Sequence, residues 1–253
     1  MFLNMKDIAR KQLAIDMNCR EEDLINDGLV FCNAKTNLGC RNVKRQNPYL
    51  EIATMGKGIV VSGDENILDR IKPLLIGKSR EEIFEAPFLY GHSIYYLPDK
   101  NITRIEKTFD GLEFFVKEQS QIADLYGIQG FDNAIGFSKD GSYTTGIGMY
   151  AKKDEKIVAL VGASTECDTM WQIGIDVLPE FRNKGLATYL VNNITFLIME
   201  KGIAPYYCAA SSNISSQATA HRSGYVATWM STYQNAFDGS SSFDEHLNIK
   251  KIL

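Results

Sequence analysis

The stretch that most limits what this chain can fold into is Ile173-Gly-Ile-Asp-Val-Leu-Pro-Glu-Phe-Arg-Asn-Lys-Gly-Leu-Ala187. The residues from Met170 to Val177 have strand character. Pro179 interrupts that strand, and Leu186, Leu190, Ile194 and Leu197 follow at the spacing of a long amphipathic helix that ends at Gly202. The turn between them, Arg182 to Ala187, falls at the helix start, where about four backbone N–H groups lack intrahelical partners and the dipole supplies roughly half a positive charge. Gly185 and Ala187 put no bulky side chain between those amides and an approaching pyrophosphate, while Arg182 and Lys184 add full charges. This is a phosphate cradle by chemistry, although R-x-x-G-x-A on its own also recurs in plain strand-turn-helix units.

The rest of the chain is consistent with an α+β protein. Helical spacing is expected from about 4 to 18, from Asn66 to Leu75, and from Arg80 to Phe84, where Ser79 and Glu82 form a capping-box pattern. Short strands are expected around Cys32, Tyr49, Ile52 and Gly58 to Ser62. The turn cluster Pro98-Asp-Lys-Asn101 predicts a boundary, giving an N-terminal α+β domain over 1–103 and a second domain over 104–253. In the second domain, strands are expected at Leu112 to Lys117, Tyr143 to Tyr150, Lys156 to Ala163, Met170 to Val177, Tyr206 to Ala210 and Tyr225 to Tyr233. Helices are expected at Ser120 to Tyr126, after Pro179, and at Ile214 to Ser223 with Asn213 as N-cap.

Several function classes are disfavoured. A formal charge of -4 gives no global field for a phosphate backbone, so neither a nucleic-acid partner nor a tRNA-borne acyl donor is expected. No apolar run approaches the roughly 20 residues of a membrane span, and the start, Met1 to Lys6, is too short and polar for a signal peptide, so a cytoplasmic protein is expected. Five scattered cysteines and three separated histidines (His92, His221, His246) show no metal-ligand spacing, so no metal is expected. Gly77-Lys78-Ser79 lacks the first glycine of a P-loop, because position 72 is Lys72. Gly146-Ile-Gly148-Met-Tyr-Ala151 meets a dinucleotide fingerprint in form only, since a charged turn and another strand follow it instead of a helix.

Two motifs in order carry more weight than either alone. Val177-x-Pro179-x-x-Arg182-x-x-Gly185-x-Ala187 is followed by Asn213-x-x-Ser216-x-x-x-Ala220-x-x-x-Gly224-Tyr225. In these the sequence resembles the GNAT superfamily of acyl-CoA-dependent N-acyltransferases over roughly residues 110 to 235. The resemblance implies a mixed, mostly antiparallel sheet flanked by helices, with the fourth and fifth strands splayed, and acetyl-CoA as co-substrate. It also implies that backbone groups of Ile175 and Val177 hold the pantetheine arm and thioester. The amides of Arg182, Asn183, Lys184, Gly185, Leu186 and Ala187 would hold the pyrophosphate, with Asn213 and Ser216 lining the far side. Many family members carry a tyrosine acid where this chain has Ala220.

The implied activity is acetyl transfer to a primary amine by direct attack in a ternary complex; the alternative is a silent acyl-CoA-binding regulatory module. An alkyl amine is less than about one part in a thousand neutral at pH 7, so a base is needed, whereas a thiol of pKa about 8.5 leaves readily. Glu166, Asp176 and His221 are the base candidates, with Asp168 beside Glu166; the ordinary role of Glu166 and Asp168 is a solvated turn, Asp176 faces either the cleft or solvent, and a lone helix histidine is ordinarily an exposed or core-edge residue. The acceptor is not legible, and the N-terminal domain either completes the substrate cleft or mediates self-association into a homo-oligomer.

Overall fold

The structure, a computed structural model, describes residues 4–43, 45, 47–136 and 145–238. The first two residues of the strand expected from Tyr143, and His246, lie outside the described residues. The helices are α1 (Met5–Met17), α2 (Glu21–Ile25), α3 (Glu65–Leu75), α4 (Arg80–Phe84), α5 (Leu186–Glu200) and α6 (Ile214–Arg222). The strands are β1 (Leu29–Asn33), β2 (Leu50–Thr54), β3 (Ile59–Gly63), β4 (Leu89–Pro98), β5 (Glu113–Glu118), β6 (Thr145–Lys153), β7 (Lys156–Ser164), β8 (Met170–Val177), β9 (Ala204–Ala210) and β10 (Tyr225–Asn235). Two compact units account for these elements, and neither is one continuous stretch. The first takes 1–8, 96–208 and 213–227; the second takes 9–95, 209–212 and 228–253. A single cut near residue 103 therefore does not describe the compact units, because the chain re-enters each of them.

In the second unit the strand order is β1-β3-β2-β10-β4. β1 and β3 are parallel, while β2 runs antiparallel to both β3 and β10. One face is packed with Leu50, Ile52, Ile59 and Val61 against Ile67, Leu68, Ile71 and Leu75 of α3 and Ile83 and Phe84 of α4. The α3 residues recur at i, i+1, i+4 and i+8, which sets one stripe of the helix toward the sheet. Helix α4 starts where the capping box predicts: Ser79 Oγ accepts from the Glu82 amide at 3.2 Å and Glu82 Oε2 accepts from the Ser79 amide at 2.8 Å.

In the first unit the order is β5-β6-β7-β8-β9, antiparallel at each step except β8 to β9, which is parallel. Helix α5 packs on β6, β7 and β8 and buries Leu186, Leu190, Val191, Ile194 and Ile198. Residues 119–136 cover the other face, with Leu125, Phe131, Ala134 and Ile135 against Tyr150 and Leu160. The helix expected at 120–126 is a 3-10 segment, Gln119–Leu125. The loop that follows it lies so close to the sheet that a Cβ on Gly174 would sit 1.8 Å from the Asn133 carbonyl oxygen. Only glycine allows that approach.

Candidate functional site

The strands β8 and β9 part. Their paired register runs from Met170↔Ala204 to Ile173↔Tyr207 and stops there, while β8 continues to Val177 and β9 to Ala210. Which backbone groups of β8 face the opening follows from one hydrogen bond. The Leu178 amide donates to the Val158 carbonyl at 3.0 Å, so the even-numbered positions of this strand direct their N–H and C=O toward β7. The odd-numbered ones, Ile175 and Val177, direct theirs to the side that β9 has left. The Val177 carbonyl accepts from Arg182 Nε at 2.8 Å, so Arg182 closes the far end of this gap.

The helix α5 starts at the same end of the sheet. Its N-cap, Gly185, has φ +84° and supplies no side-chain cap, its first intrahelical bond runs from the Tyr189 amide to the Gly185 carbonyl at 3.0 Å, and its first turn holds no acidic residue. The left-handed backbone at Asn183 (φ 61°) and Gly185 bends the turn Arg182 to Gly185 around this terminus. A third cation joins Arg182 and Lys184 there. Lys107 Nζ donates to the Lys184 carbonyl at 3.0 Å and lies 3.1 Å from where a Gly185 Cβ would stand. Lys184 Nζ donates to the Glu180 carbonyl at 3.0 Å, so backbone carbonyls hold these cations, and an anion at the positive end of the helix dipole would be favoured beside them.

Lys107 carries no sequence signal, because it stands far from the turn in the chain and within an irregular segment. Helix α5 fixes that segment. Asn192, 1% exposed, accepts from the Ile105 amide at 2.7 Å and donates to the carbonyls of Thr103 and Ser223, both at 3.0 Å. Asn193 donates to the Ile105 carbonyl at 3.2 Å.

On the α5 side of β9, helix α6 is capped as its sequence predicts: Asn213 Oδ1 accepts from the Ser216 amide at 3.0 Å. The Ser216 hydroxyl lies 2.8 Å from the phenol oxygen of Tyr207, which is 3% exposed. Burial pushes the Tyr207 phenol above its ordinary value, with the Ser216 bond opposing. His221 is exposed on α6, its ring 5.2 Å edge-on from Tyr96.

The other two base candidates lie on the opposite face of β8 or at its entry, and their surroundings differ. Asp176 accepts from the Asn133 amide at 2.8 Å, from Asn133 Nδ2 at 2.7 Å and from the Ala134 amide at 2.9 Å. Both its oxygens are engaged in holding the loop over Gly174. Glu166, 8% exposed, accepts from the phenol of Tyr206, whose oxygen also lies 3.0 Å from Gln172 Oε1. One phenolic proton cannot serve both acceptors, so the Gln172 amide pairs with Tyr206 through its NH2 group while the phenol donates to Glu166. Asp168 is an exposed residue of the turn. Strand alternation carries Tyr206 and Tyr207 to opposite faces, a signal present in the sequence for both phenols. Among the described residues, no group of histidine, cysteine, aspartate and glutamate is placed to hold a metal ion, and no helix is long and apolar enough to cross a membrane.

Residues 119–233 match the family model described as GNAT acetyltransferase. That segment is similar to a GNAT acetyltransferase domain. No curated protein matches it. Among solved structures, a GNAT-family protein from Novosphingobium aromaticivorans is 16% identical, with 56% of this chain and 63% of that one covered and a TM-score of 0.43. A GNAT-family acetyltransferase from Colwellia psychrerythraea is 12% identical over 58% of this chain and 57% of that one, TM-score 0.43. A GCN5-related N-acetyltransferase-like protein from Streptococcus suis is 12% identical over 91% of this chain and 100% of that one, TM-score 0.49. The chain thus spans less than two thirds of the length of the first two of these. The matched residues include the parted strands, the α5 turn and the α6 cap, and Lys107 lies outside them.

Proposed function

We propose that this GNAT domain transfers an acetyl group from acetyl-CoA to a primary amine by direct attack while both substrates are bound. The observation that carries this reading is the basic turn at the start of α5, where Lys107 joins Arg182 and Lys184 at a helix N-terminus without a side-chain cap, beside the opening between β8 and β9. A pyrophosphate fits the first, because a helix N-terminus with cations close by favours an anion. An extended pantetheine fits the second, because the Ile175 N–H and C=O and the Val177 N–H continue the ladder that β9 abandons.

Acetyl-CoA supplies the acyl group as a thioester. The chain's own residues hold it and manage protons. Amides of Asn183, Lys184, Gly185, Leu186 and Ala187 bind the pyrophosphate, the expected Arg182 amide being taken by the Pro179 carbonyl at 3.2 Å, and Asn213 and Ser216 close the far side of the arm. Glu166, paired with Tyr206, takes the proton from the acceptor ammonium so that the neutral amine attacks. Asp176 positions the loop at 131–134, and His221 remains at the surface on α6.

Incubation with acetyl-CoA and a panel of small amines, polyamines and peptides is expected to release free thiol above the hydrolysis rate. Gly185→Glu places a carboxylate in the anion cradle and is expected to weaken coenzyme A binding by about 100-fold or more, the loss of two charge-assisted hydrogen bonds. Coenzyme A binding unaffected by that substitution ends the proposal. Tight binding by the parent with no transfer to any amine selects the second reading, a silent acyl-CoA-responsive module, which the apolar Ala220 on α6 favours.

A further inference from the structure

Strand β5 ends the sheet of the first unit, and its outer edge has no partner among the described residues. We propose that this edge pairs antiparallel with the same strand of a second copy of the chain, about a two-fold axis at Phe115. The pairing does not depend on acetyl transfer.

The registers across the sheet fix which backbone groups of β5 are free. Even-numbered positions of β8 bond to β7, so Leu160 and Gly162 of β7 are taken by β8, and Val161 and Ala163 bond to β6. Ile147 and Met149 of β6 therefore turn to β7, and Gly148 and Tyr150 turn to β5. Their partners Lys117 and Phe115 spend their N–H and C=O inward, while Phe114, Val116 and Glu118 direct theirs outward. The ladder to β6 runs from Glu113 to Glu118 without a register shift, and the strand contains no proline, so neither a bulge nor a proline blunts this edge. Phe115 and Val116 are 37% and 44% exposed on it.

Charge selects the occupant and the register. Two-fold pairing of the outward groups sets even-numbered residues opposite even-numbered ones. With the axis at Phe115, Glu113 stands opposite Lys117 of the second copy at both ends, and Phe114 stands opposite Val116. An axis at Phe114 sets Glu113 against Phe115, and an axis at Val116 sets Lys117 against Phe115; either loses both charge pairs. Glu113 is exposed and makes no ion pair among the described residues, and Lys117, paired with Asp124, keeps ammonium protons for a second carboxylate. The two Phe115 residues form a non-hydrogen-bonded pair with Cα atoms about 4.5 Å apart, close enough for the rings to meet. Two such short strands cover less than the roughly 1,000 Å² of a stable interface, so the expected dimer is weak, with a dissociation constant in the micromolar range or above.

Sedimentation velocity over a micromolar concentration series is expected to show a monomer–dimer equilibrium in the parent. Val116→Pro removes one outward amide and no bond to β6, and is expected to weaken self-association about tenfold or more. Glu113→Lys and Lys117→Glu each set like charges against each other at both ends, with an expected loss of about tenfold or more. An equimolar mixture of these two variants sets opposite charges in every pair and is expected to associate at least as well as the parent. Phe115→Cys is expected to crosslink to its own copy as oxidised glutathione is reduced by the two thiols, whereas Glu113→Cys stays at the background of the five native cysteines. A parent that is monomeric throughout the series overturns the inference. A dimer that survives Val116→Pro and both charge variants overturns it too, because its contact lies elsewhere, and so does a mixture that associates no better than its components.

Discussion

Two carboxylates show how far a residue's role depends on what packs against it. Alternation in the sequence sets Asp176 on one face of β8 with Gln172 and Gly174, and goes no further; the three donors from Asn133 and Ala134 that make it an anchor come from a loop with no periodicity. Glu51 sits in β2, where its Oε2 accepts from the Tyr49 phenol at 2.8 Å. Burial pushes the Glu51 carboxyl above its ordinary 4.5, with Arg41 and the Tyr49 and Ser231 hydroxyls opposing and Asp16 reinforcing. An acid with a raised folded-state value binds its proton more tightly when folded. Its contribution to stability is complete below 4.5 and is lost as pH rises through the folded value. Glu51→Gln keeps a neutral, hydrogen-bonding side chain at every pH. Calorimetric melts at pH 4 and pH 7.5 are expected to show the variant gaining stability relative to the parent between the two. A difference that does not change with pH would remove Glu51 from the titration.

At the scale of elements, α5, α6, β7 and β8 were readable because hydrophobic period, caps and breakers agree along their whole length. The 3-10 segment Gln119–Leu125 was not, since its apolar pair, Ile122 and Leu125, at i and i+3 satisfies an α-helix and a 3-10 turn equally. The irregular stretch between β4 and β5 was silent for a different reason: its order comes from α5. Asn192 is a buried polar residue of α5 and satisfies three backbone groups, those of Thr103, Ile105 and Ser223. Asn192→Ala leaves all three without that partner in a buried setting. Each such loss costs about 1 kcal/mol or more, so the variant is expected to be about 3 kcal/mol less stable in urea denaturation. A loss below about 1 kcal/mol would mean that water or a neighbour replaces the amide and that α5 does not hold the segment.

For the molecule as a whole, charge is acidic on balance, and the turn at the start of α5 is basic. The formal charge of -4 repels a polyanion at long range, whereas the proposed cradle of Arg182, Lys184 and Lys107 would attract it at contact. The two motifs made the first two of these cations legible; the third became visible only when the fold brought residue 107 to the start of α5. Salt separates the two effects. Both long-range repulsion and local attraction are screened within a Debye length of about 10 Å at 0.1 M, but attraction at hydrogen-bonding distance dominates affinity. Coenzyme A is therefore expected to bind more weakly as salt rises from low to moderate concentration, despite the net charge. Lys107→Gln removes one of three cations while keeping a donor for the Lys184 carbonyl, and it lies outside the matched family residues. Calorimetric titration is expected to show about tenfold weaker binding at low salt and a shallower salt dependence than the parent. Equal affinity and an equal slope would place Lys107 on the surface of α5 with no part in the cradle. A drop in affinity with the slope unchanged would assign it a packing role against the Lys184 carbonyl alone.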